Sequence, residues 1–279
     1  MTFWKSLKED RAGTVCLAFI VLVALAGLLA PWIAPCDPTA IDVRSKFAPM
    51  SWAHWLGCDY LGRDVLSRLL YGARATLGFS LLTMALTVCL GGILGMLAGL
   101  LQGRTEACIM RLCDVMMSFP SEVMILAIVG MLGPGLEHVV LACIAAKWPW
   151  YARMIRTVTR QYSGMNYISF ARIAGYGTPY ILRRHLLPCA SGEIAVLATL
   201  DTGSVILMIS ALSFLGLGVQ PPTPEWGMML GEAKDVMLLY PGQMLPPGLA
   251  ILLLAAAFNL LGDSLRDAMD PWRRQATED

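Results

Sequence analysis

The sequence predicts an all-α, polytopic membrane protein with six transmembrane helices and cytoplasmic N- and C-termini. Three observations carry this expectation. Of the 279 residues, 57% are hydrophobic and 15% charged, with a mean hydropathy of +0.62, so much of the surface must face a medium other than water. Six apolar runs reach the roughly 20 residues with which a helix crosses about 30 Å of hydrocarbon. Lysine and arginine, finally, collect on alternate connections between those runs. The net charge of +1 excludes the long-range field of a nucleic-acid-binding protein.

The six runs lie near residues 13–34, 76–101, 109–132, 136–156, 190–218 and 247–265. The first follows Lys5, Lys8 and Arg11. Its apolar stretch is longer than the roughly 7–15 residues of a signal peptide, and Ala30-Pro31-Trp32 is a poor cleavage site, so it reads as an anchor. The second run carries no charge. Its Gly91, Gly92, Gly95 and Gly99 recur at helical spacing, which suits close packing on a neighbouring helix, because lipid supplies no hydrophobic drive for helix association. With the N-terminus inside, fourteen of the 21 basic residues are cytoplasmic, among them Arg153, Arg156, Arg160, Arg172, Arg183, Arg184, Arg266, Arg273 and Arg274.

Three connections are too long to be simple links. The first outer loop, residues 35–73, holds His54 to Asp64 and then an amphipathic stretch, Val65 to Arg74, expected to lie in the membrane interface. The last outer loop, residues 219–246, is stiffened by Pro221, Pro222, Pro224, Pro241 and Pro246 and cannot be one long helix. The cytoplasmic loop 157–187 reads as two short helices, near Tyr167–Ala174 and Pro179–Leu186. Gly175-Tyr176-Gly177 separates them, and Pro188 is expected to stop the second before span five. This elbow exposes Arg172, Arg183 and Arg184, either as a contact for a cytoplasmic partner or as a loop made basic by topology alone.

Catalytic motifs are missing. No lysine follows a glycine, so a G-x-x-x-x-G-K phosphate loop is absent, as are G-x-S-x-G and H-E-x-x-H. His54, His138 and His185 are dispersed, Cys108 and Cys113 do not share a helix face, and no catalytic metal site is evident. Six of the eight cysteines fall in or beside apolar stretches; only Cys36 and Cys58 share a polar loop, allowing at most one bridge. The chain is therefore expected to be a non-catalytic carrier, or the channel of a machine powered by another subunit. Ionisable groups within spans are costly, which singles out Glu122, Lys147, Glu193 and Asp201. Asp201, Ser204 and Met208 share one broad helix face and could line a path for a hydrated or chelated cation. Equally, Asp201 could be bonded to Lys147 or to a partner chain, and Lys147 could snorkel beside Trp148 and Trp150. The methionines read as filler of apolar helices.

Ser169-Phe170-Ala171, three residues, Gly175, nine residues, then His185-Leu186-Leu187-Pro188 resembles the E-A-A-x3-G-x9-I-x-L-P loop of permease subunits in bacterial ABC importers. Ser169 replaces the usual Glu, Phe170 the first Ala and His185 the Ile. Further motifs extend the resemblance to the second permease of the dipeptide, oligopeptide and nickel group: His54 to Asp64 with Ser67-Arg68, Met110-Arg111 to Asp114 with Ser118-Phe119-Pro120, Ser213 to Gly218, Trp226-Gly227, and Phe258 to Asp263 through to Asp270-Pro271. Trp148 to Arg156, Leu200 to Gly203 and Glu225 to Gly227 look closer to the nickel branch. The resemblance implies an ABC importer type I permease fold, with an anchor span and outer loop in residues 1–74 and the permease domain in 75–279, including a coupling loop at 157–188. It also implies a related permease as heterodimer partner, two cytoplasmic ATPase subunits that hold ATP and Mg, an extracytoplasmic substrate-binding protein, surrounding lipid, and no cofactor in this chain. The cargo expected is nickel or a small metal chelate; di- or oligopeptides are the alternative, and an ion-coupled carrier acting alone is a more distant one. Ser169, Phe170, Ala171, Arg172, Gly175, Gly177, Arg183, His185, Leu187 and Pro188 are the expected coupling residues. Asp201, Ser204, Met208, Lys147 and Glu122 are the expected pathway residues.

Overall fold

The computed structural model describes residues 10–269; expectations placed on Lys5, Lys8, Asp270, Pro271, Arg273 and Arg274 lie outside them. The described chain is helical: α1 Arg11–Ile33, α2 Val65–Leu101, α3 Gly103–Met117, α4 Ser121–Leu132, α5 Leu136–Ser163, α6 Asn166–Ile173, α7 Thr178–Phe214, α8 Trp226–Lys234 and α9 Leu245–Met269. Among the described residues the β-structure amounts to one isolated bridge, Cys58 to Asp64. α1, α2, α7 and α9 are long and apolar enough to cross a membrane, and α3 with α4 makes a fifth candidate if the bent pair counts as one span. α5, the fourth expected span, carries Glu137, Lys147, Arg153, Arg156 and Arg160 and falls short of that measure.

Three elements differ from the sequence-based expectation. Residues 65–74 are not a separate interfacial helix but the first turns of the 37-residue α2, with Val65, Ser67 and Arg68 buried. Their amphipathic pattern answers to protein contacts rather than to headgroups. The run 109–132 bends by 82° between α3 and α4, where Pro120 has no N–H to continue the helix and the Ser118 hydroxyl donates to the Val115 carbonyl at 2.6 Å. Pro188, expected to end a helix, lies inside α7 instead. A π turn at Leu182–Leu186 widens the helix just before it, and the Leu187 N–H donates to the Leu182 carbonyl. The wider turn makes room for the proline ring, so the helix runs on into span five.

Packing divides the chain into two compact units, with the divisions falling inside α2, α4, α5 and α7. The first unit comprises Met1–Leu82, Val129–Val140 and Thr199–Asp279. Its core joins Cys16 and Ile20 of α1, Ala73 and Leu77 of α2, Ile206 of α7, Trp226 of α8 and Leu254, Phe258 and Leu261 of α9. Several helices meet there over glycine. A Cβ on Gly27 would lie 2.7 Å from the Arg74 backbone nitrogen, and one on Gly227 only 2.3 Å from the Ser210 carbonyl oxygen.

The second unit comprises Thr83–Ile128 and Leu141–Ala198. Here α2 lies against α5 along Gly91, Gly95 and Gly99. Added Cβ atoms would approach Tyr151 Cβ to 2.6 Å, the Ala152 carbonyl oxygen to 2.5 Å and Thr159 Cβ to 2.7 Å, whereas one on Gly92 would meet only the Ile155 side chain at 3.6 Å. Cys113, Trp148 and Ala152 form a buried cluster packed by Leu94, Ile109 and Met110. α3 is also tied to α5 by charge: Glu106 accepts from Arg156 and, at 3.1 Å, from Arg160, and Asp114 pairs with Arg153. The close approach predicts that Gly95→Leu, which must displace backbone, lowers stability by about 1–3 kcal/mol. Gly92→Ala should be tolerated. Thermal unfolding of the two purified variants, followed by detergent-resistant fluorescence, separates them.

Candidate functional site

The elbow between α5 and span five is built on its own small core. Ile168, Ala171, Ile181 and Leu186 are buried together with Leu100 at the end of α2, and Tyr162 and Leu182 pack against them. α6 ends in a Schellman motif: Tyr176 N–H donates to the Ala171 carbonyl at 3.1 Å and Gly175 N–H to that of Arg172 at 3.0 Å. That closure puts Gly175 at φ +83°, a conformation that costs a side-chain-bearing residue about 1–2 kcal/mol. Gly177 has ordinary backbone angles and starts α7, its carbonyl accepting from Tyr180 and Ile181 at 3.1 and 3.2 Å. The Arg172 guanidinium donates to the Leu100 carbonyl at 3.3 Å, placing a cation at the electron-rich end of α2.

The elbow also has an outward face that no pattern in the sequence announces. Phe170 is 70% exposed and Ile173 is 81% exposed, three residues apart on the same side of α6, with Ser169 exposed beside them. Tyr176 and Tyr180 stack at 4.3 Å between ring centroids, and His185 lies 5.8 Å from Tyr180 and 5.9 Å from Tyr167. Burial, and next the contact of its hydroxyl with the Cys189 thiol at 3.7 Å, push the Tyr167 phenol up to about 12, so it stays neutral. The elbow thus has a buried apolar face holding it to its unit and a second apolar face left uncovered among the described residues. Arg183, Arg184 and Leu187 are exposed, and Ala171 is buried.

The expected pathway residues fall into two groups. In the second unit, Glu122 is exposed in the first turn of α4, where it accepts from the Ser121 hydroxyl at 3.0 Å and feels the charge of half-buried Lys147. In the first unit, Asp201, Ser204 and Met208 form a stripe on α7 that is half-buried to exposed. The opposite side of that helix is locked: Cβ atoms on Gly203 and, across on α9, Gly262 would collide with Asn259 Oδ1 at 2.7 Å and Leu200 Cγ at 2.5 Å. Leu200, Gly203, Asn259 and Gly262 are therefore packing residues.

A polar centre joins the segment before α2, the first turn of α2 and α8, and no local pattern in the sequence announces it. Asp59 Oδ2 accepts from Arg63 Nε at 2.7 Å and Arg68 Nη1 at 2.5 Å; Glu232 Oε2 accepts from Arg63 Nη2 at 2.9 Å and forms an ion pair with Arg68 Nη2 at 2.7 Å. Tyr60 adds its hydroxyl to Glu232 at 3.1 Å. Both arginines are nearly fully buried. Burial, opposed by Glu232 and Asp59 together, leaves the Arg63 guanidinium raised above its ordinary value. Asp64 caps α2 through Ser67 N–H at 2.7 Å and pairs with His54 at 2.9 Å. Cys36 and Cys58 carry free thiols; burial, then the charge of Asp64, raises both, Cys58 to about 11. A buried pair broken on one side leaves an uncompensated charge, so Glu232→Ala should cost about 3–5 kcal/mol and Glu232→Gln less. Chemical denaturation of each variant complex measures the difference.

Comparison with known proteins places these features. A family model described as a binding-protein-dependent transport system inner membrane component matches residues 91–275, and one for the N-terminal TM domain of oligopeptide transport permease C matches residues 1–49. The metal-staphylopine import system permease protein CntC of Staphylococcus aureus is 44% identical over 97% of this chain and 94% of that protein. The nickel transport system permease protein NikC of Escherichia coli is 40% identical over 92% and 93%. The di/tripeptide transport system permease protein DppC of Pseudomonas aeruginosa is 41% identical over 98% and 92%. A chain of the inward-facing MetNI methionine ABC transporter shares the fold, with a TM-score of 0.58 at 16% identity over 74% of this chain and 98% of that one. The chain therefore belongs to the family of binding-protein-dependent transport system inner membrane components and is a multi-pass permease of the ABC importer type.

Proposed function

We propose that this permease forms half of the pathway by which an ATP-driven importer moves nickel or a small metal chelate across the inner membrane. A related permease supplies the other half, two cytoplasmic ATPases bind ATP and Mg, and an extracytoplasmic protein delivers the cargo. The relatives CntC and NikC favour a metal or chelate; the similar identity to DppC keeps di- and oligopeptides as the second reading. In this reading α5 completes the six spans as the fourth of them, both termini are cytoplasmic, residues 1–74 anchor the chain, 75–279 form the permease domain, and 157–188 is the coupling loop.

The observation that carries the coupling assignment is the doubled face of α6: Ile168 and Ala171 buried in the elbow's core, Phe170 and Ile173 presented outward. A helix held on one side and apolar on the other is a lever for a partner groove. The usual acidic residue of the loop is Ser169 here, so the contact depends on shape and apolar area rather than on a carboxylate. Phe170→Ala with Ile173→Ala should reduce cargo-stimulated ATP hydrolysis in vesicles at least tenfold. Gly175→Val, which cannot adopt the Schellman closure without strain, should leave hydrolysis but uncouple it from uptake. Unchanged stoichiometry in both would remove the assignment.

The stripe of Asp201, Ser204 and Met208 is the proposed pathway wall. A carboxylate turned to lipid costs about 2.5–3.5 kcal/mol, so this face belongs against water or the partner permease; Lys147 and Glu122, in the second unit, are proposed as pathway charges on the same ground of cost. Asp201→Asn should lower uptake at limiting cargo several-fold without lowering complex yield. Full uptake by that variant would leave Asp201 a packing residue.

A further inference from the structure

The side of α2 turned away from α5 shows exposed apolar residues at Leu86, Leu90 and Ile93, spaced by four and three and about 200° round the helix from the glycine contact. This stripe leads into a cavity of about 280 Å³ between the end of α2 and the elbow, lined by Ile93, Met96, Leu97, Leu182 and Leu187, with Arg183 as its one charged side chain. Arg183 is exposed and has no hydrogen bond or ion pair among the described residues, and exposed Arg184 is its neighbour. An open apolar groove bordered by an unpaired guanidinium matches a phospholipid: hydrocarbon for the groove, phosphate for the cation. A free anion would gain nothing from the carbon walls, and a purely apolar partner would gain nothing from the exposed Arg183.

We infer that this cavity is a binding site for an anionic phospholipid, whose acyl chain lies along Leu86, Leu90 and Ile93 and whose phosphate meets Arg183. The inference rests on the reading of the elbow as the segment at the cytoplasmic membrane boundary, where anionic headgroups attract basic residues. The lipid would fill the space between α2 and the π turn, on the side of the elbow that its own core does not reach.

Native mass spectrometry of the intact, delipidated complex tests it. The probes are phosphatidylglycerol and phosphatidylcholine with identical acyl chains. The expected result is about fivefold greater retention of phosphatidylglycerol, reduced to the phosphatidylcholine level by Arg183→Gln, while Leu97→Trp, which fills the groove, abolishes retention of both. Arg266→Gln, an exposed arginine elsewhere, should change nothing. Equal retention of the two lipids, or indifference to both groove variants, overturns the proposal. So does cross-linking of Ile93→Cys to the partner permease in native membranes, which would make the stripe a protein interface. The same spectra report attached ATPase subunits: complexes that keep their ATPases but show no lipid preference reject the lipid site alone, whereas Phe170→Ala/Ile173→Ala complexes that keep theirs fully reject the coupling reading alone.

Discussion

The close contact of α2 with α5 over Gly91, Gly95 and Gly99 is the constraint on which the elbow depends. In lipid, apolar helices gain little from each other unless their backbones approach, and three missing side chains let α5 carbonyls come within 3 Å of where Cβ atoms would stand. That contact sets where α2 ends, and Leu100 in its last turn is both a member of the elbow's core and the acceptor for Arg172. α5 leads into α6 after two residues, Gly164 and Met165. The elbow is therefore held by chain continuity, by apolar burial and by one charge at a helix end, all within a single compact unit.

This arrangement alters the mechanical picture of coupling. A lever with free hinges at both ends would absorb motion, whereas this one has a single sharp break, the left-handed turn at Gly175. On the other side the π turn passes Pro188 within one continuous helix. Leu187 reaches back to Leu182, so the Arg183 carbonyl loses its usual donor, and Pro188 has no N–H to replace it. The weakened turn concentrates bending at 182–188 while preserving the helix on either side. In the proposed coupling, displacement of α6 would reach the rest of α7 as a tilt or twist instead of being lost in a loop.

Much of this was legible in the sequence, for identifiable reasons. Four spans and the bent α3–α4 pair follow from hydropathy, the glycine stripe from its spacing, and the elbow from Gly175 and the two short apolar patterns around it. The fate of Pro188 was not legible, because a proline signals a break and nothing in one sequence distinguishes a stop from a widened turn. The amphipathic pattern of 65–74 was read against membrane and answered instead to buried protein contacts. The Asp59, Arg63, Arg68 and Glu232 cluster was hidden because Arg63 and Glu232 are 169 residues apart; tertiary charge pairs leave no local signature. The outward Phe170 and Ile173 were visible as residues, but which side of a short helix is buried depends on the surrounding fold.

The central claim is that the uncovered face of α6 is the seat of the ATPase, and a cross-link tests it most directly. With cysteine at position 170 and a short bifunctional thiol reagent applied to the assembled importer, the account predicts a cross-link to a cytoplasmic ATPase subunit, strengthened when nucleotide closes the ATPase pair. A product with the extracytoplasmic binding protein, or none with either ATPase under any nucleotide condition, would contradict it.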